Sequence, residues 1–198
     1  MDPRFRGDDR RRTGTTKLVQ NQLSEQFLFR YIMTNRKSYR IIFGLGSNLG
    51  NRKLNINKAH LLLEENLELK NIKTSKIFEN KALLKPNSPK EWNIDFFNIA
   101  LSADINLTTF SPQKILEIIK NIEKEIGRQE REAWAPREID IDILAIADLI
   151  INLDEKLQIP HKSLVERNFF LKTFAEIEPN WQYPLAGKFF GKKISSIS

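Results

Sequence analysis

From Arg40 to Gly46 the chain is almost continuously apolar and ends on glycine, which predicts a short buried strand. Between Asn51 and Glu65, Leu54, Leu61 and Leu62 fall on one side of a helical spiral and predict a helix with that face inward. Glu68 to Glu79 reads as a strand. Residues 80–91 contain Pro86, Asn87, Ser88 and Pro89 and read as a loop. Ile94 to Ile105 reads as the second strand of that pair, with Phe97, Ile99, Leu101 and Ala103 alternating toward one face. Ser111 followed by Pro112 has the chemistry of a helix start: a capping hydroxyl, then a proline in the first turn. Ile115, Ile118, Ile119, Ile122 and Ile126 continue as an apolar stripe, and Gly127 ends it. Glu138 to Ile146 is a further strand, in which Ile139, Ile141 and Ile143 alternate with polar residues.

The order β-α-β-β-α-β is that of the split βαβ, or ferredoxin-like, pattern. It predicts an α+β fold: an antiparallel four-stranded sheet with both helices on one face, short C-terminal additions, and the other face free to carry a site. No internal repeat interrupts the order. Residues 1–16 are rich in Arg, Asp, Gly and Thr without apolar periodicity and read as disordered. A short helix is expected around Leu23 to Tyr31. The division is therefore an extension over 1–38 and a folded domain over 39–198. Met33 is a candidate original start; an ordinary disordered tail is the other reading.

Charge adds little. The net charge is +7, but residues 1–40 hold 10 Lys/Arg and 4 Asp/Glu, leaving 22 and 21 for the remainder. The basicity lies mostly in the extension, so it is no footprint of nucleic acid on the folded part. With no Cys, disulfides and thiolate metal sites are excluded. With His60 and His161 as the sole histidines, a His-rich zinc site is not expected. No apolar run approaches the roughly 20 residues of a membrane span, and a cytoplasmic protein is the expectation.

The chemistry concentrates around Asp140 and Asp142. Alternation turns both carboxylates to the face away from the helices, with α-carbons ~6.6 Å apart. Such a pair suits a hard cation such as Mg²⁺, which prefers oxygen ligands. A solvated strand face carrying two acids is the plain alternative. The flanking cations shift the balance: Arg128, Arg131, Arg137, Lys156, His161 and Arg167 lie close in sequence. Magnesium-bound phosphate needs carboxylates for the metal and cations for the phosphate oxygens. Phe96 and Asn98 fall on the same open face and could stack on and hydrogen-bond to a flat heterocycle. There is no Gly-Lys-Ser/Thr phosphate loop. The glycines of Gly44-Leu45-Gly46-Ser47-Asn48-Leu49-Gly50 read as a tight strand-to-helix turn.

These residues also carry a resemblance. Over residues 40–184 the chain resembles 6-hydroxymethyl-7,8-dihydropterin pyrophosphokinase. The matching blocks are Gly46 to Arg52, Phe96-Phe97-Asn98, Ile122-Glu123 with Gly127-Arg128, and Trp134-Ala135-Pro136-Arg137 with Ile139 to Leu144. Ile159-Pro160-His161, Arg167-Asn168-Phe169 and Glu176 to Pro179 complete them. The resemblance implies pyrophosphoryl transfer from ATP to the hydroxymethyl group of 6-hydroxymethyl-7,8-dihydropterin in folate biosynthesis, releasing AMP. It implies two Mg²⁺ ions on Asp140 and Asp142, with Arg128 and Arg137 acting beside them in catalysis. The ATP set it implies is Glu123, Arg128, Trp134, Arg137, Ile143, Lys156, His161 and Arg167. The pterin set is Asn80, Leu83, Phe96, Asn98 and Phe169, the two rings forming a sandwich. A monomer is expected, with no nucleic-acid or membrane partner and with association with other folate enzymes open.

Three positions depart from the family pattern. Ala135 stands where Gly is usual between Trp and Pro, and an extended residue before proline accepts Ala. Glu130 occupies a position where a basic residue is common, with Arg131 as a substitute. The loop from Asn80 to Leu84 replaces the usual Thr-Pro and Gly pattern. Two other readings compete. An RNA-binding module shares the topology but would carry a basic-aromatic motif on the sheet, where this chain carries acids. An inactive relative acting as a partner is the other.

Overall fold

The computed structural model describes residues 38–154 and 157–198. The expected extension falls outside this range except for Ser38, and so does Lys156. Ten strands and α-helices follow in order among the described residues: β1 (Tyr39–Ser47), α1 (Arg52–Asn66), β2 (Lys70–Thr74), β3 (Phe78–Asn80), β4 (Phe96–Ile105), α2 (Pro112–Ile126), β5 (Asp140–Ile146), β6 (Ile151–Asp154), β7 (Leu157–Ile159) and α3 (Asn168–Ile177).

The main sheet has the order β2-β4-β1-β5, and β3 extends the β2 side by pairing with β4. All its pairings are antiparallel. The central strand β1 is buried because Ile41, Phe43 and Leu45 point to one layer while Ile42 points to the other. Helices α1 and α2 pack on each other and on β1, β4 and β5. Ser111 accepts the Lys114 amide as the N-cap of α2, Pro112 sits in its first turn, and Gly127 closes it in the left-handed conformation at φ 108°.

The opposite face is only half free. Helix α3 lies across β4 and β1, and Phe170, Leu171 and Phe174 bury against Ile42, Leu144 and Ala145. A polar network anchors the end of this helix. Glu178 accepts from Arg40 Nε at 2.7 Å, Ser102 Oγ at 2.9 Å and Lys73 Nζ at 3.2 Å.

Three local expectations are corrected. In α1 the buried face is Ile56, Ala59 and Leu63, whereas Leu54 and Leu61 are 46% and 64% exposed. Three successive leucines at 61–63 span most of the helix circumference, so either face satisfied the pattern. The segment 68–79 forms two strands. Buried Ser75 separates them and binds β4 directly, its Oγ accepting the Ala100 amide at 2.9 Å. Gly44 and Gly46 belong to β1, and only Gly50, at φ 66°, serves the turn.

Candidate active site

The two strand glycines make the floor of a cleft. In register, Gly46 lies between Asn98 of β4 and Asp140 of β5, and Gly44 lies between Ala100 and Asp142. A Cβ on Gly46 would stand 2.8 Å from Asn98 Oδ1, and one on Gly44 would stand 2.9 Å from a Phe170 ring carbon. The central strand is thus bare where its neighbours carry acids and amides. Over it opens a cleft of about 1040 Å³, bounded by β5, α2, the 128–137 loop, Arg167, Phe169 and the end of β3.

One wall is ionic. Asp140 receives Arg128 Nη1 at 2.6 Å and Arg137 Nη1 at 3.1 Å. Burial works against its charge, but Arg137 and Arg128 outweigh burial and hold this carboxyl below its ordinary range. Asp142 is treated differently. Burial and then the neighbouring Asp140 charge push it up to about 7. His161 Nε2 lies 3.7 Å from it. Burial, followed by the charges of Arg167 and Lys162, lowers His161 to about 4, so the imidazole is neutral at pH 7. Its Nδ1 accepts the Ser163 amide, which leaves the proton on Nε2, facing Asp142.

Glu123 organises this wall from behind. It interrupts the apolar stripe of α2 and is 2% exposed. Its Oε1 accepts from the Ile141 amide at 2.8 Å and from Arg128 at 2.6 Å, and its Oε2 accepts from Lys120 at 2.9 Å. One carboxylate thereby ties α2 to β5 and sets the Arg128 guanidinium over Asp140.

The other wall is amide and aromatic. Asn98 Nδ2 donates to Asn80 Oδ1 at 2.6 Å, joining β4 to β3 at the cleft edge. Phe96, Leu83 and Phe169 line the same side. Phe169 is held edge-on to Phe170, with ring centroids 4.6 Å apart, at the start of α3. Across the mouth runs the 128–137 loop. Arg131 grips Glu138 with two bonds of 2.7 and 2.8 Å, so its fork is engaged within the loop. Ala135 is buried with an ordinary φ, while Trp134 adopts φ 77° and stays 37% exposed. A bulky side chain is uncommon in that left-handed region.

Of the residues expected from sequence, the cleft brings together Asp140, Asp142, Glu123, Arg128, Trp134, Arg137, Arg167, Asn80, Leu83, Phe96, Asn98 and Phe169. His161 stands behind Asp142. Ile143 is buried at 6% exposure opposite Phe43 and does not line the cleft. Gly44, Gly46, Lys120 and Phe170 line it and were not expected. Lys120 was legible, one helical turn before the lone acid of the α2 stripe.

Two adjacent carboxylates, one of them paired with no Arg or Lys among the described residues, form a hard-oxygen donor pair that fits a divalent cation such as Mg²⁺. Among the described residues no cluster of three or more His, Asp or Glu could hold a metal through protein ligands alone. A cation here would share its shell with a ligand or water. No helix of the described residues is long and apolar enough to cross a membrane.

Comparison with known proteins agrees with this architecture. A sequence model described as 7,8-dihydro-6-hydroxymethylpterin-pyrophosphokinase (HPPK) matches residues 42–179. The 2-amino-4-hydroxy-6-hydroxymethyldihydropteridine pyrophosphokinase of Aquifex aeolicus is 43% identical over 148 residues, covering 75% of this chain and 86% of that protein. The folate synthesis bifunctional protein of Chlamydia caviae is 45% identical over 140 residues, covering 70% of this chain and 30% of its own length. This chain thus spans about a third of the bifunctional relatives that it matches. The crystal structure of wild-type Plasmodium falciparum HPPK-DHPS shares the fold, with a TM-score of 0.55 at 16% identity, covering 84% of this chain and 45% of that one.

Proposed function

Because this chain belongs to the 7,8-dihydro-6-hydroxymethylpterin-pyrophosphokinase family, we propose that it transfers the pyrophosphoryl group of ATP to the hydroxymethyl oxygen of 6-hydroxymethyl-7,8-dihydropterin and releases AMP. The observation that carries the reading is the two-walled cleft: acids and arginines on one side, paired amides and aromatic rings on the other, meeting over a bare strand.

The strand order β5-β1-β4-β2 supports a ferredoxin-like frame with α3 as an addition. Phe96 and Phe169 would bracket the pterin ring. The Asn80–Asn98 amide pair offers both donors and acceptors to its edge. The ring is then turned so that its hydroxymethyl group reaches the ionic wall. Arg128, Arg137 and Arg167 would take phosphate oxygens, and the bidentate geometry of guanidinium suits them to it. His161, neutral with its proton on Nε2, would donate one hydrogen bond without adding charge. Trp134 and the 128–137 loop would close over the nucleotide and exclude water. Asp140 and Asp142 would hold two Mg²⁺ ions, which when bound supply charge neutralisation and polarise the attacked phosphorus. Attack is in line at the β-phosphorus: the hydroxymethyl oxygen forms the new O–P bond and gives up its proton to solvent, and the bond from the β-phosphorus to the α-phosphate oxygen breaks, that oxygen leaving with AMP. No residue forms a covalent intermediate. A cytoplasmic monomer that associates with other folate enzymes completes the reading.

The test is a nucleotide-product assay with Mg-ATP, with and without the dihydropterin alcohol. AMP should appear only with the pterin. ADP as the product would mean transfer of a single phosphoryl group, and no product would favour a non-catalytic partner.

A further inference from the structure

We infer that Arg52 is a positioning residue for the pterin half of the cleft, acting from the far side of the sheet; the inference rests on the proposed function for the identity of its ligand. Arg52 opens α1, and nothing about the ionic wall requires it. Its guanidinium carbon lies 3.6 Å from the centroid of the Phe97 ring. The same group donates to the Asp95 carbonyl at 2.7 Å and to Glu79 Oε1 at 3.1 Å. Glu79 and Phe97 are cross-strand partners in the β3–β4 register. Arg52 therefore closes over both strands at one rung.

The adjacent rungs point to the opposite face. They are Asn80 with Phe96 and Phe78 with Asn98. Three of those four residues line the cleft. Strand β3 has only three residues and pairs on one side, with β4. Such a short edge strand frays readily unless something outside the ladder holds it. Arg52 supplies that hold at the middle rung. The amide pair Asn98–Asn80, at 2.6 Å, then keeps its spacing on the cleft side. A planar guanidinium that stacks on Phe97 while its Nη1 donates twice is suited to this in a way that a lysine, which cannot stack, is not.

Arg52→Met keeps the apolar stem and removes the charge and the Nη1 donor; Arg52→Lys keeps the charge and removes the planar stack. Binding of a non-hydrolysable ATP analogue is measured by calorimetry on the full chain. Binding of 6-hydroxymethyl-7,8-dihydropterin follows in the presence of that analogue, and amide exchange is read across the sheet. For Arg52→Met the pterin Kd should rise about tenfold, the equivalent of one charge-assisted hydrogen bond, with the analogue Kd within about twofold. Exchange should accelerate over residues 78–80 and stay unchanged in β5. Arg52→Lys should fall between wild type and Met, and serves alone if the Met variant does not fold. Equal loss of both ligands, with faster exchange throughout the sheet, would make Arg52 a general stabiliser and overturn the inference. Faster exchange at 78–80 without weaker pterin binding would overturn it too. Failure of the wild-type protein to bind the pterin would sink the functional reading itself, and this inference with it.

Discussion

Replacing the two acids with asparagine should move stability in opposite directions while removing activity in both cases. In the metal-free protein Asp142 is half-buried beside a charged neighbour, and its carboxyl rises from an ordinary 3.8 to about 7. Each tenfold change in proton affinity corresponds to about 1.36 kcal/mol. Ionising Asp142 in the fold therefore costs up to roughly 4 kcal/mol, and side-chain relaxation and water entry reduce that to about 1–3 kcal/mol. The sign follows from linkage. Because the folded value lies above the unfolded one, the penalty is absent below about pH 4, grows as pH rises toward 7, and is constant above. Asp142→Asn carries no such penalty. Its thermal midpoint in EDTA should exceed wild type by about 2–8 °C at pH 8 and match it near pH 4. Asp140→Asn strips a partner from Arg128 and Arg137, and should lower the midpoint at pH 8 by a similar amount. With Mg²⁺ and a non-hydrolysable ATP analogue, wild type should gain stability and both variants should gain much less, since each has lost a proposed metal ligand. AMP release should fall at least about 10²-fold in each, as expected when transition-state charge loses its stabilisation. Calorimetry across pH 4–8 with a matched product assay decides it. A lower midpoint for Asp142→Asn in EDTA, or a gain that does not vary with pH, would refute the reasoning.

Three further outcomes follow from the same geometry. Glu123→Ala leaves the buried Ile141 amide without its acceptor and takes from Arg128 Nη1 one of the two carboxylates it binds, and should cost about 3–5 kcal/mol in denaturant titrations as well as activity. Burial opposes the charge of Glu178, but Arg40, Ser102 and Lys73 outweigh it and hold its carboxyl below the ordinary 4.5; its stabilisation is present above that pH and is lost as pH falls through the lower folded value, so Glu178→Gln should flatten the acid limb of the stability profile below pH 4.5. Amide exchange over residues 80–91 and 128–137 should slow when the ATP analogue and pterin are both added, and equal protection with and without them would exclude closure of these loops over the ligands.

The sequence was most legible where one physical cause dominates. Ser111, Pro112 and Gly127 each have a local reason for their place, so α2 could be bounded without tertiary information. Strict alternation through Ile139, Ile141 and Ile143 likewise put Asp140 and Asp142 on one face. Legibility failed where the cause is tertiary. The run Leu61-Leu62-Leu63 fits several helix faces, and only packing against α2 and the sheet selects Leu63. The break at Ser75 arises from a hydrogen bond to Ala100, on a strand 25 residues away. The cover that α3 places over half the open face depends on long-range contacts between Phe170, Phe174 and Ile42, which periodicity within α3 does not reveal.

Gly44 and Gly46 also bear on how easily the site could escape an inhibitor. Both have ordinary backbone angles, unlike Gly50 at φ 66°, so the chain itself would accept other residues there. The surrounding space forbids them, since even a methyl group would press within 2.8–2.9 Å of Asn98 or Phe170. A compound lying over these positions would meet peptide groups that no codon change can remove. The smallest replacement that could push it away would intrude on the Asn98 amide proposed to hold the pterin, or on the Phe170 ring against which Phe169 packs. Resistance arising at this floor would therefore carry its own loss of function.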